Sequence, residues 1–210
     1  MKAPLGVILA GGQATRMGGS DDNLVDKGLL QLGTKSILSH VIDRFEPQVG
    51  GLILSANGDA NRFSAFHVPV IPDASGELAG PLSGILAGLD YAAERGFDHI
   101  VTAAADTPFL PADLVPQLQL QSEITGAPVV LSATPCPERK QQRQPTFGLW
   151  SVTLRDDLRA ALNDGLRKIV AFTQPRGNAY AEFALTGDVN PFFNVNTPQD
   201  LTQAHDILKG

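Results

Sequence analysis

A chain of 210 residues is long enough for one sizeable hydrophobic core, or one core with a small appendage. Hydrophobic residues make up 43% and charged residues 18%, the balance of an ordinary globular protein rather than a disordered or membrane-embedded one. The net charge of −6 and the pI near 5.1 argue against a nucleic-acid binder, and leave any anionic ligand to local cations and backbone N–H groups.

The start, "MKAPLGVILAGG", does not read as a signal peptide, because its apolar run is short and ends in a glycine pair. "GVILA" (6–10) predicts a buried strand. "SILSHVIDRF" (36–45) predicts a helix with Ile37, Leu38, Val41, Ile42 and Phe45 on one face. Strands follow at "GLILSA" (51–56) and "VPVIPD" (68–73), then a helix at "LSGILAGLDYAAERG" (82–96), stopped by Gly96. "HIVTAAAD" (99–106) is the next strand. A helix over 111–121 would begin with Pro111 at its first position. "APVVLSAT" (127–134) is a strand, "PCPERKQQRQ" a polar, basic loop, "PTFGLW" (145–150) a strand and 152–163 a helix. The last helix has Thr197 as its N-cap and Pro198 at its first position. No internal repeat, linker or membrane-length apolar run interrupts this order. The alternation predicts an α/β fold, a single domain with helices on both faces of a mostly parallel sheet. Cys136 is the sole cysteine, so no intrachain disulfide forms, which fits a reducing, cytoplasmic location.

In such sheets ligands bind at the carboxyl ends of the strands. The first strand ends in Gly11 and Gly12, the second in Asn57 and Gly58, the third in Asp73, and "HIVTAAAD" in Asp106. The opening loop has neither the G-x-x-x-x-G-K-[ST] nor the G-x-G-x-x-G spacing. It still carries the parts that suit a polyphosphate. Gly11, Gly12, Gly18 and Gly19 let backbone N–H groups approach an anion, Arg16 offers a forked donor, and Lys27 a compact charge. The alternative is a glycine-rich turn with solvated charges. Asp106 is a candidate Mg²⁺ ligand or a turn cap, and Asp73 a ribose ligand or a turn cap. Gly80 and Pro81 in "GPLSG" open a helix whose free N–H groups suit an anion or a base edge. Ser83 does not sit in G-x-S-x-G, so a hydrolase elbow is not indicated. His40, His67, His99 and His205 lack metal-ligand spacing, and Cys136 is a bystander. Arg139, Lys140, Arg143, Arg167 and Lys168 are solvated charges or a clamp for a second anionic substrate.

"LAGGQATRMGG…DKGLLQLG" resembles the nucleotidyltransferase signature L-A-G-G-x-x-x-R-M-G…D-K, and looks most like the molybdenum cofactor guanylyltransferase family. The match continues in order through Asn57, Asp73, "GPLSG", "AAADTPFL", "PTFGLW" and "FFNVNTPQDL", nearly the whole chain. The loop alone is shared by many relatives, whereas "GPLSG" with "FFNVNTPQDL" discriminates. The resemblance implies a Rossmann-like three-layer fold, Mg²⁺ as cofactor, and transfer of GMP from GTP to the molybdopterin-bound molybdenum cofactor. By that resemblance Leu9, Ala10, Gly11, Gly12, Gly80 and Pro81 would line the GTP site. Lys27 would meet phosphates, with Arg16 assisting, and Asn57 and Asp73 would hold the nucleoside. Asp106 would bind GTP and the metal, while Asn194 and Asn196 would lie beside the reacting phosphates or the pterin. The nucleotide-binding half would be about 1–110 and the acceptor half about 111–210. Molybdoenzymes or their chaperones are further expected partners, with no nucleic acid and no membrane. One departure stands out: "SDDNLVD" separates the glycine pair from Lys27, where the family usually has a couple of residues. Asp21 and Asp22 are expected to point to solvent and the inserted segment to be mobile without ligand. The rival readings are a cytidylyltransferase using the same cofactor, a sugar- or alditol-phosphate nucleotidyltransferase, and a non-catalytic GTP-binding cofactor-delivery protein.

Overall fold

Aliphatic and β-branched runs become strands, and periodic apolar runs become helices, in the order that the pattern suggests. The computed structural model describes residues 1–11, 26–74, 80–136, 138–185, 187 and 189–209, with backbone alone at 139 and 140. The strands are β1 (Leu5–Leu9), β2 (Gln31–Leu32), β3 (Lys35–Ser36), β4 (Gly51–Ser55), β5 (Val70–Ile71), β6 (His99–Ala104), β7 (Val129–Cys136), β8 (Arg139–Ser151) and β9 (Ala179–Glu182). The helices are α1 (Ile37–Phe45), α2 (Pro81–Glu94), α3 (Leu114–Thr125), α4 (Arg155–Asn163), α5 (Ile169–Thr173) and α6 (Pro198–Lys209). Short 3₁₀ segments include Lys27–Leu29 and Ala60–Phe66.

Seven strands form one sheet in the order β5-β4-β1-β6-β8-β7-β9. All neighbours pair in parallel except around β8, which runs antiparallel to both β6 and β7. Period-two alternation sends neighbouring residues of one strand to opposite faces. On β1, Ile8 packs with Val41 and Phe45 of α1 and Leu114 and Leu118 of α3. Leu5 and Val7 pack instead with Ile85 and Leu89 of α2, Leu158 of α4 and Phe172 of α5. The result is the expected three-layer α/β sandwich with a mostly parallel sheet. Among the described residues no helix is long and apolar enough to cross a membrane.

Close approach of α2 to β1 depends on Gly88. A Cβ built there lies 2.7 Å from Val7 Cγ2 and 3.3 Å from Ile100 Cδ1. Val7 is β-branched and fully buried, so it cannot rotate aside. Gly88→Val should therefore destabilise the protein by about 1–3 kcal/mol, read as a lower urea midpoint at unchanged slope.

Two expectations need correction. The polar stretch after Thr134 is not a loop: β7 continues to Cys136 and β8 begins at Arg139, giving a hairpin arm that projects from the carboxyl edge. Backbone pairing extends these strands where side-chain composition does not call for them. The helix expected from Pro111 begins at Leu114, with Asp113 at the N-cap position. Pro116 is then its third residue, a position whose N–H has no intrahelical acceptor to lose.

Candidate active site

Ladder bonds carry β1, β4 and β6 one residue past their ends before the chains diverge. Ala10 N donates to Ser55 O (2.9 Å), Ala56 N to Ile71 O (2.9 Å) and Ala105 N to Leu9 O (3.1 Å). Beyond those bonds lie Gly11, Asn57, Asp73 and Asp106. Gly11, Asp73 and Asp106 edge a cleft of about 290 Å³ whose lining also includes Leu9, Ala10 and Lys27. Gly80, Pro81 and Asn194 also face it.

One end is built around Asp73. Its Oδ1 accepts from Ser55 Oγ (2.7 Å) and its Oδ2 from Asn57 Nδ2 (3.1 Å), while Asp73 N donates to Asn57 Oδ1 (3.0 Å). Asn57 is thus a bracket behind Asp73 rather than part of the cleft lining. Two glycines give this carboxylate its room. A Cβ on Gly11 would lie 3.3 Å from Asp73 Oδ2, and one on Gly84 would lie 3.2 Å from Oδ1 and 2.9 Å from Leu9 Cδ2. Gly80 precedes α2 at φ 64° and ψ −166°, a conformation open essentially to glycine alone. With Pro81 at the first helical position, the first turn of α2 opens onto the cleft.

The other end pairs a cation with a carboxylate. Lys27 Nζ donates to Asn196 Oδ1 (2.6 Å) and lies 4.0 Å from Asp106 Oδ2. Burial pushes the Asp106 carboxyl above the ordinary range, and the Lys27 charge opposes that rise. Asp106 O accepts from Val195 N (2.9 Å), and Thr107 Oγ1 donates to Asn194 Oδ1. Asp200 Oδ2 accepts from Asn196 N and Thr197 N, and Thr197 Oγ1 accepts in return from Asp200 N. That reciprocal cap fixes the chain carrying Asn196 at the start of α6. Beneath it, Leu32, Ile37, Val195 and Ala204 form a third, small apolar cluster.

Leu9, Ala10, Gly11, Lys27, Asp73, Gly80, Pro81, Asp106 and Asn194 therefore meet at one cleft. Asn57 and Asn196 stand one contact behind it. The expectations for Gly12, Arg16, Asp21 and Asp22 lie outside the described residues. The sequence reading missed Ser55, Phe63, Gly84, Thr107, Thr146 and the pair Asp26–Arg62. Ser55 was discoverable, since it is the last residue of β4, at the carboxyl end where ligands bind. His40 has a structural role, its Nε2 bonding to Leu32 O (2.9 Å). Arg143 stacks over Tyr180, and Arg167 Nη1 donates to the carbonyls of Leu162 and Leu166. Among the described residues no three His, Cys, Asp or Glu side chains come together as a metal cage. A Mg²⁺ ion needs none: it is commonly held by one or two carboxylates together with substrate phosphates and water, so Asp106 at the cleft fits that donor set.

A family model described as "MobA-like NTP transferase domain" matches residues 6–179. The chain belongs to the MobA-like NTP transferase family. A molybdenum cofactor guanylyltransferase from Mesorhizobium japonicum is 43% identical over 208 residues, covering 97% of this chain and 95% of that one. The structure of molybdopterin-guanine dinucleotide biosynthesis protein A from Archaeoglobus fulgidus superposes with a TM-score of 0.74 at 23% identity, over 98% of both chains. A 2-C-methyl-D-erythritol 4-phosphate cytidylyltransferase from Thermus thermophilus shares the fold with a TM-score of 0.70 at 15% identity, over 97% of this chain and 98% of that one. The MobA-like match ends at the first residue of β9, so Asn194, Asn196 and α6 come after it. They close the end of the cleft that holds Lys27 and Asp106 all the same.

Proposed function

We propose that this chain transfers GMP from GTP to the molybdopterin-bound molybdenum cofactor, giving the guanine dinucleotide cofactor and pyrophosphate. The observation that carries the reading is the two-ended cleft, an Asn57–Asp73 bracket at one end and Lys27 with Asp106 at the other, in a chain 43% identical to a guanylyltransferase. On this reading the first end takes the nucleoside and the second, with its cation, the triphosphate. Leu9, Ala10, Gly11, Gly12, Gly80 and Pro81 would contribute backbone to the GTP site. Asn57 and Asp73 would hold the nucleoside. Residues 1–110 would form the nucleotide-binding half and 111–210 the acceptor half, with Asn194 and Asn196 where the two meet.

The chemistry asks little of the side chains beyond alignment. A phosphate monoester has its second pKa near ~6 and is largely dianionic at neutral pH, so it attacks without a protein base. A bond forms between an acceptor oxygen and the α-phosphorus, and the bond from that phosphorus to the β-phosphate oxygen breaks. Pyrophosphate carries away the electron pair. Lys27 and Arg16 compensate the charge that grows on it, and the cleft holds attacking and leaving oxygens in line. Mg²⁺ held by Asp106, when bound, would supply charge neutralisation between the phosphates. A cytoplasmic location, and molybdoenzymes or their chaperones as recipients, complete the reading.

Titration calorimetry with GTP, CTP and ATP, each with Mg²⁺, tests the base. GTP should bind at least about tenfold more tightly than CTP, a difference of about 1.4 kcal/mol. Preference for CTP would move the chain to the cytidylyl branch with the same mechanism. GTP binding without pyrophosphate release in the presence of cofactor would make it a delivery protein instead.

A further inference from the structure

Polar contacts run from Asp73 through Asn57 and Arg62 to Asp26, the residue before Lys27, and their middle link, Arg62, lies outside every role assigned above. Arg62 sits in the 3₁₀ segment Ala60–Phe66. Its Nε donates to Asp26 Oδ2, its Nη2 to Asn57 O (2.7 Å) and its Nη1 to Asp59 O. The guanidinium also lies 4.4 Å over the ring of Phe63. Four anchors leave the fork little freedom, which is what an arginine supplies and a lysine does not. Asp26 lines the cleft and immediately precedes Lys27. Its own carbonyl accepts from Leu29 N (2.9 Å), so both ends of Asp26 are fixed.

We propose that Arg62 is a positioning residue that holds Lys27 in the cleft by gripping Asp26. The proposal rests on the reading of Lys27 as a phosphate-binding group. A 3₁₀ turn of three residues, Lys27–Leu29, cannot fix its own direction, because so short a turn has too few hydrogen bonds to offset ordering. The side chain beyond it has four rotatable bonds and ends on Asn196. Arg62 and Asp26 are 26% and 21% exposed, so their pairing is only partly screened and a bare Asp26 carboxylate would be left uncompensated beside the cleft. Through Asn57 the same guanidinium is tied to Asp73. The grip therefore sets the distance between the two ends of the site.

The test reads Lys27 directly, by mass-spectrometric acylation of its amine in the ligand-free protein. Lys35, 52% exposed, serves as the internal reference. In Arg62→Ala and in Asp26→Asn, Lys27 should label at least about fivefold faster as its turn loosens, with Lys35 unchanged. Unchanged Lys27 labelling in either variant overturns the proposal. Turnover gives the second readout. Arg62→Ala should lower kcat about tenfold in the wild-type background and by less than about twofold in a Lys27→Ala background, since it acts through Lys27. Equal losses in both backgrounds would overturn it as well. Asp26→Asn separates placement from charge, because a purely electrostatic Asp26 would leave GTP binding tighter when neutralised, whereas a positioning Asp26 leaves kcat lower. Faster labelling with wild-type turnover would sink the catalytic reading of Lys27 and leave the positioning intact.

Discussion

Asp106→Asn is expected to lose guanylyl transfer by about 10²-fold or more and, without divalent metal, to melt at a higher temperature than the wild type. Both effects come from one fact. The half-buried carboxylate lies two residues past the end of β6, where desolvation raises its pKa against the pull of Lys27. A carboxyl whose folded pKa lies above its unfolded value binds protons more tightly in the folded state. Its contribution is fully present below the ordinary carboxylate range and is lost as pH rises through the raised folded value. Above that folded value the wild type carries a charge that its fold disfavours. Asparagine keeps the shape and removes the charge. The gap in melting temperature between variant and wild type should accordingly widen from pH 4 to pH 7.5 in metal-free buffer. GTP with Mg²⁺ should then stabilise the wild type far more than the variant. Near-normal turnover at saturating Mg²⁺, or a variant that melts below the wild type at pH 7.5, would refute the assignment.

Lys27→Ala should cost about 10²–10³-fold in kcat, the usual loss when one charged donor is withdrawn from a developing oxyanion. The effect on stability is expected to stay within about 1 kcal/mol. Lys27 Nζ is 4.0 Å from Asp106 Oδ2, a loose ion pair, and its short bond is to the neutral Asn196. The substitution has a second signature. Without Lys27 nothing in the pair holds the Asp106 carboxyl down, so its raised pKa climbs further and stability falls more steeply with pH than in the wild type. Pre-steady-state pyrophosphate release and pH-dependent melting measure the two effects separately. A variant that loses several kcal/mol of stability with kcat intact would make Lys27 a structural residue.

Helix α1 and strands β1, β4 and β6 were legible because each carries its burial pattern locally. In α1, Ile37, Leu38, Val41, Ile42 and Phe45 are all buried as their spacing predicts, and Ser36 Oγ caps the helix by accepting from Ser39 N. The β7–β8 arm was not legible. Gln142 and Arg143 are strand residues only because their backbones pair with Thr134 and Ala133, and nothing in their side chains announces it. Insertion of β8 antiparallel between β6 and β7 is equally silent in a pattern that reads only local alternation. The site divided in the same way. Gly11, Asp73 and Asp106 could be found because each lies two residues past the end of a strand. Asp26 and Arg62 could not, since each looks like a solvated charge until folding brings together residues 36 positions apart. Asn196 was found by resemblance alone, and its partnership with Lys27 is a product of tertiary packing.

The small cluster of Leu32, Ile37, Val195 and Ala204 bears on the order in which the molecule matures. Lys27 and Asn196 are 169 residues apart in sequence, and that cluster, the start of α6 and the bond from Val195 N to Asp106 O help to bring them together. Closing so long a loop costs little more than closing a shorter one, but the contact that rewards it lies near the end of the chain. The central strands β4, β1 and β6 can pair, and the Asn57–Asp73 bracket can close, while the cationic end is still missing. A chain paired that far would hold the Asn57–Asp73 bracket without the Lys27–Asn196 contact at the other end. Completion of the cleft then depends on the far end of the chain, which seats Val195 and Asn196 beside the turn that carries Lys27.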